Sequence, residues 1–293
     1  MRVAVVGAHG QLGRDVVSAF AQHGDHVLQL THAEIEVSSL KSVAKSLREV
    51  RPEIVINTAA MHNVENCEQQ PERARAVNGT GSRNLAMVTR DLGAVLVHIS
   101  TDYVFDGKKG FPYVESDTPR PLNVYGQTKL EGEDLVRSTN PKHFILRTAA
   151  LYGDNPCRAK QGYNFIDLML RLARERGRVR VVAHEFTSPT ATTDLAQQIV
   201  TLSRGDTYGL YHATAEGSCS WYEFALEIFS IAKVDVTLEV ASPTEFPQKV
   251  TRPEYSVLEN RGLKARKLNI LRPWRVTLQE HIAKKHHQVP MAV

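Results

Sequence analysis

Val3-Ala4-Val5-Val6-Gly7-Ala8-His9-Gly10-Gln11-Leu12-Gly13 decides the fold. An apolar run of this length suits a strand buried on both faces, and the glycines after it suit a tight turn from that strand into a helix. Strand-like runs at Val3 to Val6, His26 to Leu30, Glu53 to Asn57, Val95 to Ser100 and Phe144 to Arg147 alternate with helical stretches. That alternation predicts an α/β chain, a Rossmann-type doubly wound parallel sheet covered on both faces. Gly24 and Gly93 are placed to end helices, and Pro71 opens a helical segment reaching Leu92.

Beyond about Gly153 the pattern loosens. A polar loop, Asp154 to Gly162, precedes a helix from Phe165 to Arg176, and Pro189, Pro243, Pro247 and Pro253 mark long connections. The expectation is a dinucleotide-binding domain over 1–150 and a smaller C-terminal α/β lobe over 151–293, mainly for substrate. Gly209 to Ala213 reads as a strand, so the segment near 209–214 is expected to return to the first sheet.

Composition excludes several classes. The 293 residues are 42% hydrophobic and 23% charged, ordinary for a globular protein, with no low-complexity segment. The longest apolar runs are strand-sized, which argues against a membrane span. The first strand starts at the very N-terminus, where a cleavable leader would destroy it, so a cytoplasmic location is expected. Cys67, Cys157 and Cys219 lack metal-ligand spacing and read as reduced thiols. A net charge of +4 suits an anionic ligand such as a nucleotide. The basic residues are interspersed with acids and form no aromatic-basic platform, which argues against nucleic acid.

In the glycine turn, Gly7 permits the turn itself, Gly10 leaves room for a pyrophosphate, and Gly13 lets the helix pack on the strand. The helix that begins near Gln11 and Leu12 points free N–H groups at the phosphates. No acid stands at the end of the second strand, where Leu30-Thr31-His32 occurs, although Glu34 and Glu36 follow. This leaves space for a 2′-phosphate that Arg14 is placed to meet, and the expected cofactor is NADPH or NADH with a lean to NADPH. Ala59 and Ala60, after the third strand, are small enough for a dinucleotide to pass over them. The cofactor candidates are therefore Gly7, Gly10, Gln11, Leu12, Gly13, Arg14, Glu36, Ala59 and Ala60, with Tyr125 and Lys129.

Tyr125 and Lys129 are one helical turn apart in Tyr125-Gly126-Gln127-Thr128-Lys129, so both project from one face, and an ammonium beside a phenol favours the phenolate. Ser100-Thr101-Asp102 ends the fourth strand, at the sheet edge where doubly wound proteins hold their chemistry. Thr101, Tyr125 and Lys129 are the catalytic candidates.

With these residues the chain resembles the extended short-chain dehydrogenase/reductase family, and within it the dTDP-4-dehydrorhamnose reductase branch. The likeness spans nearly the whole chain, through Pro121-Leu122-Asn123-Val124-Tyr125, Asn164-Phe165, Gly209-Leu210-Tyr211-His212, Trp221-Tyr222 and Arg252-Pro253-x-x-Ser256. It implies NAD(P)H-dependent reduction of a 4-keto sugar on a nucleoside diphosphate: a hydride reaches C4, Tyr125 protonates the alkoxide, Lys129 holds the nicotinamide ribose and lowers the phenol's pKa, and Thr101 binds the reacting oxygen. It also implies Val104, Phe105, Asn164, Trp221 and Arg252 as sugar-nucleotide contacts. Alanines at 149 and 150, where an aromatic residue often follows in relatives, and the long Asp154 to Gly162 loop depart from the pattern near the expected sugar pocket. Relatives that bridge subunits through magnesium have acids that this chain matches only at Asp15, with His184-Glu185 departing from the rest, so no metal is expected. A homodimer is allowed by the family but not specified. Rival readings are a nicotinamide-binding regulatory subunit resembling that of methionine adenosyltransferase, and a nucleotide-sugar epimerase.

Overall fold

The computed structural model describes residues 1–157, 162–242 and 250–288, the side chains of 286–288 excepted. Part of the Asp154 to Gly162 loop, Pro243 and Pro247 lie outside the described residues. In chain order the elements are β1 (Arg2–Val6), α1 (Gln11–Gln22), β2 (His26–Leu30), α2 (Leu40–Val50), β3 (Ile54–Asn57), α3 (Val64–Gln69), α4 (Pro71–Arg75), α5 (Gly81–Asp91), β4 (Val95–Thr101), α6 (Val124–Thr139) and β5 (His143–Thr148). They continue with β6 (Leu151–Tyr152), α7 (Phe165–Arg176), β7 (Arg178–Val181), β8 (Phe186–Thr187), β9 (Thr190–Ala191), α8 (Thr192–Ser203), β10 (Gly209–His212), β11 (Cys219–Ser220), α9 (Trp221–Ala232), β12 (Thr237–Val240), α10 (Arg261–Ala265) and α11 (Trp274–Gln288).

Six strands form one sheet in the order β10-β5-β4-β3-β1-β2, every neighbouring pair parallel. Because side chains alternate across a strand, Val3 and Val5 pack on one face with α1 and α8, while Ala4 and Val6 pack on the other with α2 and α5. The chain leaves β1 for β2 on one side and then crosses to β3 on the other. The carboxyl ends of β1 and β3 therefore flank the crevice where doubly wound sheets hold ligands. β10 pairs with β5 from Gly209↔Phe144 to His212↔Arg147. A second core gathers β7, α7, α9 and α11 around Phe224 and Trp274.

The segment from Pro71 to Asp91 is not one uniform helix. Between α4 and α5 the turn Ala76–Thr80 is π-helical, an inserted residue that aims Asn78 inward. Asn78 accepts from Met61 N–H at 2.9 Å and donates to the Met61 carbonyl and to Thr128 Oγ1 at 3.1 Å, tying the loop after β3 to α6.

Candidate active site

Gly7 has a φ of +80°, and a β-carbon there would lie 2.8 Å from Thr58 Oγ1. At Gly13 it would lie 2.2 Å from the Gly7 carbonyl, so only glycine lets α1 pack against the turn. At Gly10 the space is more open. α1 starts at Gly10 with no side-chain cap and no acid in its first turn, so its leading N–H groups and positive dipole end are left for an anion. Beside them Gln11 Nε2 is buried without a hydrogen-bond partner. An orphaned donor, uncapped amides and a glycine cradle fit a dinucleotide pyrophosphate. Ala59 and Ala60 are half-buried across the crevice, and Ala59 N–H donates to Asn57 Oδ1 at 3.1 Å.

At the end of β2 the structure adds an acid the strand pattern did not show. Glu34 folds back and accepts from Thr31 N–H at 2.7 Å, and the Thr31 hydroxyl and amide hold its carboxylate below its usual range. Glu36 is engaged differently, accepting from Ser38 N–H at 3.0 Å and Ser38 Oγ at 2.8 Å ahead of α2. Arg14 is exposed.

Thr101 ends β4, and Asn123 caps α6 by accepting from Gly126 N–H at 2.9 Å, which starts the helix one residue before Tyr125. Thr101 Oγ1 donates to Asp102 Oδ1 at 3.0 Å and accepts from Tyr103 N–H at 3.2 Å. Tyr125 hydrogen-bonds Thr101 and meets the Tyr103 ring edge-on at 5.8 Å. Asp102, a neighbour the sequence left without a role, is raised to about 6 by burial, against hydrogen bonds from the Ser256 and Thr101 side chains. Ser256 belongs to the Arg252-Pro253-x-x-Ser256 motif, so the C-terminal part of the chain reaches the carboxyl end of β4.

Lys129 differs from expectation. Its Nζ donates to the Ile99 carbonyl at 2.6 Å and lies 3.4 Å from His98 Nε2. Burial pushes it down to about 8, while Glu133, one turn further along α6, pulls the other way. Burial raises the Tyr125 phenol above its ordinary value, and the Thr101 side chain opposes this. Burial outweighs the groups that would lower the phenol, and Lys129 Nζ is engaged by the Ile99 carbonyl of β4.

Of the sugar-nucleotide candidates, Trp221 and Arg252 remain partly open. Trp221 begins α9, 4.6 Å from the Phe165 ring, and Arg252 pairs with Glu65 at the start of α3. Two side chains differ from the expectation. Val104 and Phe105 are fully buried, Phe105 stacking on Tyr113 at 4.2 Å and lying 5.1 Å beneath the Arg147 guanidinium, so their side chains are core. Asn164 caps α7, accepting from Asp167 N–H at 3.0 Å and donating to the Gly153 carbonyl at 2.9 Å, with its second N–H still free to donate. Ala150 holds a φ of +45°, unusual for a residue with a β-carbon.

Residues 1–287 match the family model described as RmlD substrate binding domain. The chain is 37% identical over 284 residues to the spore coat polysaccharide biosynthesis protein SpsK of Bacillus subtilis, covering 97% of this chain and 98% of that protein. It superposes with a TM-score of 0.93 on a dTDP-4-dehydrorhamnose reductase structure from Clostridium acetobutylicum, at 38% identity over 98% of this chain and 100% of that one. The structure of dTDP-4-dehydrorhamnose reductase from Bacillus anthracis in complex with NADP gives 0.92, at 35% identity over 97% and 99%.

Proposed function

Since the chain belongs to the RmlD substrate binding domain family, we propose that it reduces a 4-keto nucleoside-diphosphate sugar, with dTDP-4-dehydrorhamnose the first substrate to test. It is an NAD(P)H-dependent oxidoreductase, as its reductase relatives are. The observation that carries the finer reading is the contact of Thr101 with Tyr125 at the carboxyl edge of β4, beside a glycine turn fitted to a dinucleotide. Bound nicotinamide supplies the hydride that no side chain can carry.

Thr101 and Tyr125 face one point from the strand end and the helix start, where a ketone oxygen is held by two hydroxyl groups. The phenol, kept protonated by burial, is an acid at neutral pH and delivers its proton as negative charge develops on that oxygen. Thr101 Oγ1 donates to Asp102 Oδ1 at 3.0 Å, and turning that one hydroxyl hydrogen from the carboxylate to the ketone oxygen makes Thr101 the second donor there. Lys129, lowered by burial to about 8 and so still mainly an ammonium at neutral pH, would hold the nicotinamide ribose. Trp221 offers a ring face and Arg252 a guanidinium to the nucleotide and its diphosphate, and we assign sugar recognition to the C-terminal lobe around them.

Ala149 and Ala150 support a second 4-keto sugar as the alternative within the same reaction, since an alanine at 150 carries less side chain than the aromatic residue frequent there in relatives.

The test follows nicotinamide absorbance with dTDP-4-dehydrorhamnose prepared in situ. Wild type is expected to consume one NADPH per sugar, and Tyr125→Phe to lose about 10²–10⁴-fold in turnover while still binding NADPH. Sugar turnover without net NADPH loss would instead identify an epimerase, and tight NADPH binding with no turnover of any 4-keto sugar nucleotide would identify a regulatory subunit.

A further inference from the structure

We propose that Asn123 is a positioning residue for Tyr125: by bonding Thr251 it fixes the catalytic turn of α6 against the C-terminal segment that carries Arg252. The proposal rests on Tyr125 as the proton donor. Asn123 lies two residues before the phenol and is 2% exposed. Both ends of its amide are engaged. Gly126 N–H can only donate, and it donates to Asn123 Oδ1 at 2.9 Å, which starts the helix. The Thr251 carbonyl can only accept, and it accepts from Asn123 Nδ2 at 3.0 Å. The two partners fix the orientation of the amide independently, and a flip would lose both bonds. Serine, aspartate and asparagine all cap helices well, but asparagine brings an NH₂ group in addition to the capping oxygen. Here that group joins two distant parts of the chain.

The Thr251 carbonyl belongs to the same planar peptide unit as the Arg252 nitrogen, so the bond ties the turn of Tyr125 to the backbone of Arg252 itself. The segment beyond is well seated. Gly107 has a φ of +73°, and a β-carbon there would lie 2.7 Å from both Pro253 Cβ and the Glu254 nitrogen. Phe186 N–H donates to the Glu254 carbonyl at 2.7 Å, and Ser256 N–H to the Phe186 carbonyl at 2.9 Å. On the other side, the first turn of α6 bears on the end of β4, where a β-carbon at Gly126 would lie 2.2 Å from the Tyr103 carbonyl. Val124 N–H donates at 2.8 Å to Glu68 on α3, the helix whose Glu65 pairs with Arg252. Asn123 stands where these pieces meet, and its amide sets their spacing. With the nucleotide seated at Arg252, that spacing decides where the ketone arrives relative to the phenol. A displacement of about 1 Å costs on the order of 10²-fold in rate.

The bond is tested first without sugar or turnover. Asn123→Ser keeps a capping oxygen and removes the NH₂ group that meets Thr251. Hydrogen exchange in the NADPH-bound enzyme, followed by mass spectrometry, is expected to quicken about tenfold or more for the amides of Val124 to Gln127 and to stay unchanged in the last turn of α6. Unchanged exchange across the first turn, or equal quickening along the whole helix, would overturn the proposal. Asn123→Asp, which caps as well and has no hydrogen to give, is expected to behave alike and replaces the serine variant should that not fold.

Turnover then separates positioning from scaffolding. In Asn123→Ser, kcat is expected to fall about 10- to 100-fold while KM for the sugar nucleotide changes by less than a few-fold, because Arg252 is retained. The slowing of kcat in D₂O is expected to grow, since proton delivery from a displaced phenol becomes the slow step. A raised KM with kcat and the D₂O effect unmoved would show that Asn123 only holds the segment. The exchange measurement needs no reduction, so it can fail while the reductase reading stands, and the reverse.

Discussion

Arg147 on β5 and Glu133 on α6 form a fully buried ion pair, Nη2 2.6 Å from Oε2 and Nε 2.9 Å from Oε1, with Ser100 Oγ donating to the same carboxylate. It locks α6 to β5 and, through Ser100, to β4, the strand that carries Thr101 and His98, and Arg147 roofs the Phe105 ring. Truncating one partner leaves the other charge buried and unpaired, so Glu133→Ala is expected to cost about 3–5 kcal/mol. Replacing both by apolar residues, as in Glu133→Leu with Arg147→Met, is expected to cost far less. Urea unfolding of the two single variants and the double variant measures this, and equal costs for Glu133→Ala and the double variant would contradict it.

Asp102 makes stability depend on pH in an unusual direction. Its carboxyl titrates at about 6 in the folded protein, above the ordinary 3.8, because burial disfavours the anion. The folded state therefore binds the extra proton between those values, and the contribution of Asp102 to stability falls as pH rises from about 4 to 6. Above that window the buried charge costs roughly 3 kcal/mol. Asp102→Asn is expected to be more stable than wild type at pH 7 by an amount of that order, and to lose the advantage below about pH 4. Thermal melts of both proteins across that range check it, and a constant difference would assign the effect to something other than titration.

The contrast between these groups shows what the sequence could carry. The five main strands begin and end within about a residue of where apolar runs and glycines place them, because a sheet covered on both faces demands those runs. The proximity of Thr101 and Tyr125 follows from one strand end and one helix turn, and both are local. Burial from distant segments is not local. Val104 and Phe105 sit in a motif that reads as pocket, yet Tyr113 and Leu258 close over them. Asn164 reads as a sugar contact, and the structure adds that it caps α7. Glu34 reaches the end of β2 only because the chain reverses at Thr31, and Asp102 acquires its environment from Ser256, far along the chain. The π-turn at Ala76–Thr80 has no signature in Ala76-Val77-Asn78-Gly79-Thr80 beyond its glycine.

Arg252 and Glu65 supply the last prediction, in which two substitutions on one ion pair have opposite signs. Both side chains are about one-third exposed, 34% and 36%, so the pair stands at the rim of the site and contributes little to stability. If Arg252 receives the diphosphate, Glu65 is the anion that holds its place in the ligand-free enzyme, and substrate must displace it. Arg252→Ala removes a charge-assisted contact of about 1.5–3 kcal/mol, so KM for the sugar nucleotide is expected to rise about ten- to hundredfold with kcat little changed. Glu65→Gln removes only the competitor, so KM is expected to fall a few-fold. Steady-state kinetics on the two variants decide between this exchange and a scaffold. A pair that merely held α3 to the C-terminal segment would weaken substrate binding whichever partner was lost, so a raised KM in Glu65→Gln would identify the scaffold.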